Sequence, residues 1–158
     1  MPAARPSRRH MRYMRFILKS LESYIDSHQL KGELLLEFEV ALDAHTILIP
    51  DLAYRSEEST LGRMTEQRLY GAPEFACEIA SPSTRLIDAQ EKFLAYLRAG
   101  VKEYWITDPD NSSGKRFILY ERIEGKTDTD LPTFQEIAGN DPTQSRMFPG
   151  IQIEASLL

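Results

Sequence analysis

Apolar positions recur at three-and-four spacing from residue 10 to residue 26, at Met11, Met14, Ile17, Leu18, Leu21, Tyr24 and Ile25. That period gathers them on one side of an α-helix and predicts a first helix packed on a core. Lys31-Gly32 ends it. Over residues 34–42 the pattern becomes alternation, with Leu34, Leu36, Phe38, Val40 and Leu42 set against Leu35, Glu37, Glu39 and Ala41. This is the period of a strand with one buried face. Asp43-Ala44-His45 reads as a turn, and a second strand is expected over 46–54. Pro50 falls inside it and lacks the amide hydrogen a fully paired ladder needs, so the strand should bend or bulge beside Asp51.

Residues 55–73 are mostly polar and read as a surface connection with a short helix near 64–69. The next stretch is the most constrained: a strand over 74–80, a turn at Ser81-Pro82-Ser83, a helix over 84–99 and a strand over 102–107. Ser83 or Thr84 can cap the helix start and Gly100 its end. A helix joining two apolar strands by short connections predicts a parallel pair in one sheet, hence an α/β fold. A further strand is expected over 116–121, a polar segment over 125–132 and a last strand over 151–153.

The 158 residues make one domain's worth of chain, read as a single domain over 1–158. Such a chain buries roughly 70% of the surface its unfolded form exposes. No apolar stretch approaches the length of a membrane span, and the basic start lacks the apolar core of a secretory signal. Cys77 is the single cysteine, which excludes an internal disulfide and fits a cytoplasmic setting. Charge is uneven. Arg5, Arg8, Arg9, Arg12, Arg15 and Lys19 stand in the first 20 residues with no acid, so the chain's net −5 leaves −11 for the rest. The asymmetry suits either a local phosphate-steering patch or a solvated helix face.

Asp51 closes one apolar run, Glu78 lies inside the next and Lys92 stands on the helix that follows. From Glu78 to Ser81 the strand advances about 10 Å at about 3.3 Å per residue. From Thr84 to Lys92 the helix returns about 12 Å at about 1.5 Å per residue. The lengths nearly cancel, which brings Lys92 level with Glu78. Alternation places Glu78 with Ala76 and Ala80, away from Phe75, Cys77 and Ile79. An acid there needs a partner, either a metal or Lys92. Asp88, four residues before Lys92, shares its helix face, so the two can form an ion pair that positions the amine or one that is no more than a surface pair. Taken singly, Asp51 also reads as a strand-end carboxylate and Glu78 as half of a structural ion pair. Together, two carboxylates can hold a magnesium-like ion that polarises a phosphate oxygen and makes bound water a better nucleophile. An ammonium can orient that water and offset developing negative charge. The histidines at 10, 28 and 45 lack zinc-site spacing, and no glycine-rich phosphate loop occurs. Trp105 and Tyr104 are expected to fill the core.

Several blocks now align with a known pattern: Pro50-Asp51; the run from Gly71-Ala72-Pro73 through Glu78 to Ser81-Pro82-Ser83-Thr84; Asp88, Lys92 and Tyr96; and Gly100 through Tyr104-Trp105-Ile106-Thr107-Asp108-Pro109. Together they resemble the Uma-two family of restriction endonucleases, within the PD-(D/E)xK nuclease superfamily, from about His10 through Phe148-Pro149-Gly150. The resemblance implies an α/β fold with a restriction-endonuclease-like αβββαβ core, a mixed sheet flanked by helices. It implies Asp51 and Glu78 as metal-binding carboxylates, the Ile79 backbone carbonyl as a further ligand and Lys92 as the catalytic lysine; magnesium or manganese as cofactor fits such an oxygen-rich set. The superfamily's usual lysine, two positions after the second acid, is Ala80 here; the family moves it onto the helix, as Lys92 does. Members commonly carry a longer segment before the first helix. His10 matches a histidine near that helix start and stands as a supporting residue at the site, or as a cap or core histidine.

The expected activity is divalent-metal-dependent hydrolysis of phosphodiester bonds, with nucleic acid, DNA foremost, as partner and no membrane. A homodimer is one arrangement open to it, since many nucleases that cut both strands pair up. The alternative is a catalytically silent module of the same fold that binds nucleic acid or protein, which the acidic pI of about 5.3 favours.

Overall fold

The computed structural model describes residues 5–59, 62–81, 86–111, 114–154 and 157, with the backbone alone for 86–88. Helix α1 spans Arg8–Ser27. Its start is capped by Ser7, whose hydroxyl accepts the His10 amide at 3.1 Å. The predicted apolar side is the buried one: Tyr13, Ile17, Leu21 and Tyr24 face the core.

The alternating stretch does not form one strand. Glu37 turns into the left-handed region at φ +46° and its amide bonds the Asp51 carbonyl at 3.1 Å. The chain is therefore divided into β1 (Gly32–Leu36) and β2 (Glu39–Ala41), which enter different sheets. Leu35 is buried and Leu36 is 45% exposed, the reverse of the face expected there. The next expected strand also splits, at Ile49-Pro50-Asp51, into β3 (Ile47–Leu48) and β4 (Leu52–Ser56). Residues 64–69 hold no helix. They contribute to β5 (Arg63–Met64) and β6 (Arg68–Tyr70), and β6 runs parallel to β2. The cause is Leu69, fully buried against Leu35, Val40 and Ala53. Gly62, at φ +70°, permits the turn, since a β-carbon there would overlap the Tyr70 carbonyl.

The central crossover matches expectation. Strand β7 (Phe75–Ile79) is buried throughout, α2 covers Leu86–Ala99, Gly100 at φ +102° ends it, and β8 (Glu103–Thr107) lies parallel to β7. The proposed caps Ser83 and Thr84 lie outside the described residues. Strand β9 spans Phe117–Ile123 and β10 spans Thr133–Glu136. The latter was not anticipated, because four residues with Phe134 as their single large apolar side chain give almost no periodic signal. No strand forms over 151–153; Ile151 and Ile153 instead pack irregularly into the core beneath α1.

The main sheet runs β1-β4-β7-β8-β9-β10, antiparallel except at β7–β8, and the smaller one runs β3-β2-β6-β5. In chain order α1, β1, β4, β7, α2 and β8 form the αβββαβ core, with the smaller sheet inserted between its members. The α1 side is the larger apolar layer, centred on Phe75, Trp105 and Phe148. Trp105 meets Phe75 edge-on with centroids 4.9 Å apart. Burial of each such ring stabilises the fold by about 1.5–3 kcal/mol. The α2 side is smaller and more polar, built on Ala76, Tyr96, Val101 and Tyr104.

Candidate active site

Pairing of β4 with β7 sets Leu52 opposite Cys77, so Asp51 and Glu78 are the next positions at the sheet's end. Pro50 interrupts the chain at this point, and the Asp51 side chain completes the local bonding: Oδ2 accepts the Ile79 amide at 2.7 Å. The other oxygen, Oδ1, lies 3.4 Å from His10 Nε2, with both side chains largely buried. His10 is carried there by the first turn of α1. Its Nδ1 is buried and has no hydrogen-bond partner among the described residues.

Glu78 projects to the α2 side, as its alternation with Phe75, Cys77 and Ile79 requires. Its Oε1 accepts the Tyr96 hydroxyl at 2.7 Å and its Oε2 lies 3.4 Å from Lys92 Nζ. Lys92 and Tyr96 are four residues apart, so one face of α2 delivers both groups to one carboxylate. Lys92 keeps a third of its side chain in solvent. It lines a groove of about 540 Å³ between α2 and the turn joining β2 to β3, with Leu42, Thr46, Leu48 and Arg98. Asp88 belongs to α2, but its side chain lies outside the described residues.

Burial pushes the Glu78 carboxyl up to about 7. The Lys92 ammonium and the Tyr96 hydroxyl oppose that rise, and the Asp51 charge adds to it. Among the described residues one ammonium, that of Lys92, faces the two neighbouring carboxylates, a shortfall of positive charge that a hard cation relieves. Among the described residues no three His, Cys, Asp or Glu side chains form a metal-holding group. Two carboxylates still fit magnesium, which is commonly held by one or two acids while water and phosphate oxygens fill the remaining positions.

The structure thus brings Asp51, Glu78, Lys92 and His10 to one end of the sheet, with the Ile79 amide bound by Asp51. Sequence pattern alone assigns Tyr96 no role at the site. Its spacing of four from Lys92 was the available signal, but a buried tyrosine on a helix reads first as core.

An α/β domain with this αβββαβ core has the restriction-endonuclease-like fold. The family model described as Uma2, putative restriction endonuclease, matches residues 1–156, so the chain belongs to that nuclease family. Among solved structures, a protein of Anabaena variabilis described as a putative nuclease belonging to DUF820 superposes with a TM-score of 0.62. It shares 16% identity, and the match covers 85% of this chain and 70% of that one. No protein with a curated description matches the chain in sequence.

Proposed function

We propose that the chain is a divalent-metal-dependent endonuclease that hydrolyses phosphodiester bonds in DNA. The observation that supports this most is the environment of Glu78: buried, beside a second acid, bonded by Tyr96 and approached by a partly exposed lysine. Asp51, Glu78 and the Ile79 carbonyl would hold magnesium or manganese, which when bound supplies Lewis-acid polarisation of a phosphate oxygen and a more acidic water. Tyr96 fixes one Glu78 oxygen and leaves the other toward Lys92. Lys92, poised between Glu78 and the groove, orients the attacking water and offsets charge on the phosphate. His10 steadies the Asp51 oxygen not engaged by the Ile79 amide. DNA as substrate rests on the family's description as restriction endonucleases.

The test is incubation of the purified protein with plasmid and with single-stranded DNA, in manganese and in chelator. Chelator-sensitive cleavage is expected. Binding without cleavage in either condition would replace this reading with the silent module.

A further inference from the structure

We infer that the outer face of α1 is a binding track for the phosphate backbone of nucleic acid, separate from the carboxylate site. This rests on the nuclease reading only for the identity of the polyanion. Arg8, Arg12, Arg15 and Lys19 are four, three and four residues apart, which aligns them in one stripe along the first three turns. All four are exposed, and no acid among the described residues forms an ion pair with them. The opposite side of the helix is consumed by the core through Tyr13, Ile17, Leu21 and Tyr24.

The charge order along α1 works against the helix itself. Cations crowd its N-terminal half, no acid occupies its first turn and no base its last, while Glu22 and Asp26 sit toward the C-terminus. A helix dipole favours the reverse at both ends. Residues chosen for the stability of α1 would not be arranged this way, so their placement points to something outside the fold. A second observation is geometric. A trough of about 1130 Å³ runs along the stripe, lined by Arg8, Arg9, Arg12, Arg15 and Phe16, with Asp110 on its far wall. Arg9 is tied across it to Asp110, and the Arg12 guanidinium rests over the Phe16 ring at 5.7 Å. A concave surface with several unpaired cations, on a chain otherwise carrying −11, fits a phosphate chain.

An anionic membrane is the poorer match, because a helix that lies on lipid needs a free apolar face to insert. Here that face is already packed on the sheet. The stripe also points away from His10 and Asp51, so it governs how DNA is held and leaves the chemical step to the carboxylates.

The experiment measures binding of a labelled DNA duplex by Asp51→Asn protein in chelator across a salt series. Arg12→Gln/Arg15→Gln is compared with Lys102→Gln/Lys126→Gln, which removes the same charge from exposed positions elsewhere. The first pair should weaken binding about tenfold or more and reduce the slope of log affinity against log salt by about 2, whereas the second should change the slope little. Glutamine keeps helix propensity, so the melting temperature should hold or rise. Equal effects from both pairs, an unchanged slope, or a loss confined to vesicles rich in phosphatidylserine would overturn the proposal. The two readings fail separately. A stripe-dependent slope in a protein that cleaves nothing in manganese retains the track and removes the nuclease, and metal-dependent cleavage with stripe-independent binding does the opposite.

Discussion

Glu78 and Glu103 are both buried glutamates on the adjacent parallel strands β7 and β8, at opposite ends of the sheet. Burial pushes both carboxyls above the usual range. Their surroundings differ. Glu103 Oε1 accepts the Trp105 indole N–H at 2.7 Å and the Ser145 hydroxyl at 2.5 Å, while Oε2 accepts the Arg146 and Met147 amides at 3.0 and 3.3 Å. Four neutral donors satisfy it, and in doing so they fasten residues 145–147 to the sheet. Among the described residues Glu78 has one neutral donor, an ammonium at 3.4 Å and the repulsion of Asp51. A buried acid with full partners is a structural tie; one kept short of partners retains capacity for something that is not part of the chain.

On that contrast the largest effects fall on cleavage and at one end only. Asp51→Asn, Glu78→Gln and Lys92→Met should each reduce manganese-dependent DNA cleavage by about a thousandfold or more, equivalent to about 4 kcal/mol, with unchanged circular dichroism. Full activity in any one would remove that residue from the chemistry. At the other end the loss should appear as stability. Glu103→Leu strands buried donors on Trp105 and Ser145, and the unfolding free energy should fall by about 3–5 kcal/mol in urea titrations. Cleavage per folded molecule should persist. A Glu103→Leu protein as stable as the wild type would show that the two glutamates are not different in kind.

Next in size is a stabilisation at the first end. The folded Glu78 carboxyl, held up to about 7, binds its proton more tightly than the unfolded one at 4.5. Its contribution to stability is therefore fully present below about pH 4.5 and lost as pH rises through 7, where the buried charge costs about 3 kcal/mol. Glu78→Gln stays neutral at every pH. In chelator it should match the wild type at pH 4 and exceed it by about 3 kcal/mol at pH 8, read from denaturant midpoints. A stability gap that did not widen with pH would mean that the Glu78 charge is already compensated within the chain.

The placement of the candidate residues was legible where local period and connection length sufficed. The lengths of β7 and α2 placed Lys92 beside Glu78, and alternation gave Glu78 its face. What failed was set by distant partners. Glu37 breaks the 34–42 alternation because its amide reaches the Asp51 carbonyl, a contact no window of sequence contains. Leu69 makes strand from a polar connection because it closes a core formed by Leu35 and Val40. His10 shows the same limit: the apolar period fixed which side of α1 turns inward, but only the fold decides that Asp51 is what His10 meets.

A milder change alters the partners of Glu78 and leaves the acid in place. Tyr96 is fully buried, packs against Tyr104 with centroids 5.0 Å apart, and gives Glu78 the one neutral hydrogen bond among the described residues. Tyr96→Phe preserves the ring and removes the donor. Since that hydroxyl favours the ionised carboxylate, its loss should move the Glu78 carboxyl further up, by about one pH unit for a bond worth about 1.5 kcal/mol. Manganese competes with that proton, so its affinity at pH 7 should fall several-fold and recover above pH 8. A structural tyrosine would lower stability and leave the pH dependence of manganese binding where it was. Calorimetric titration of manganese into both proteins between pH 6 and 9 separates the outcomes, and coincident pH profiles would return Tyr96 to the core.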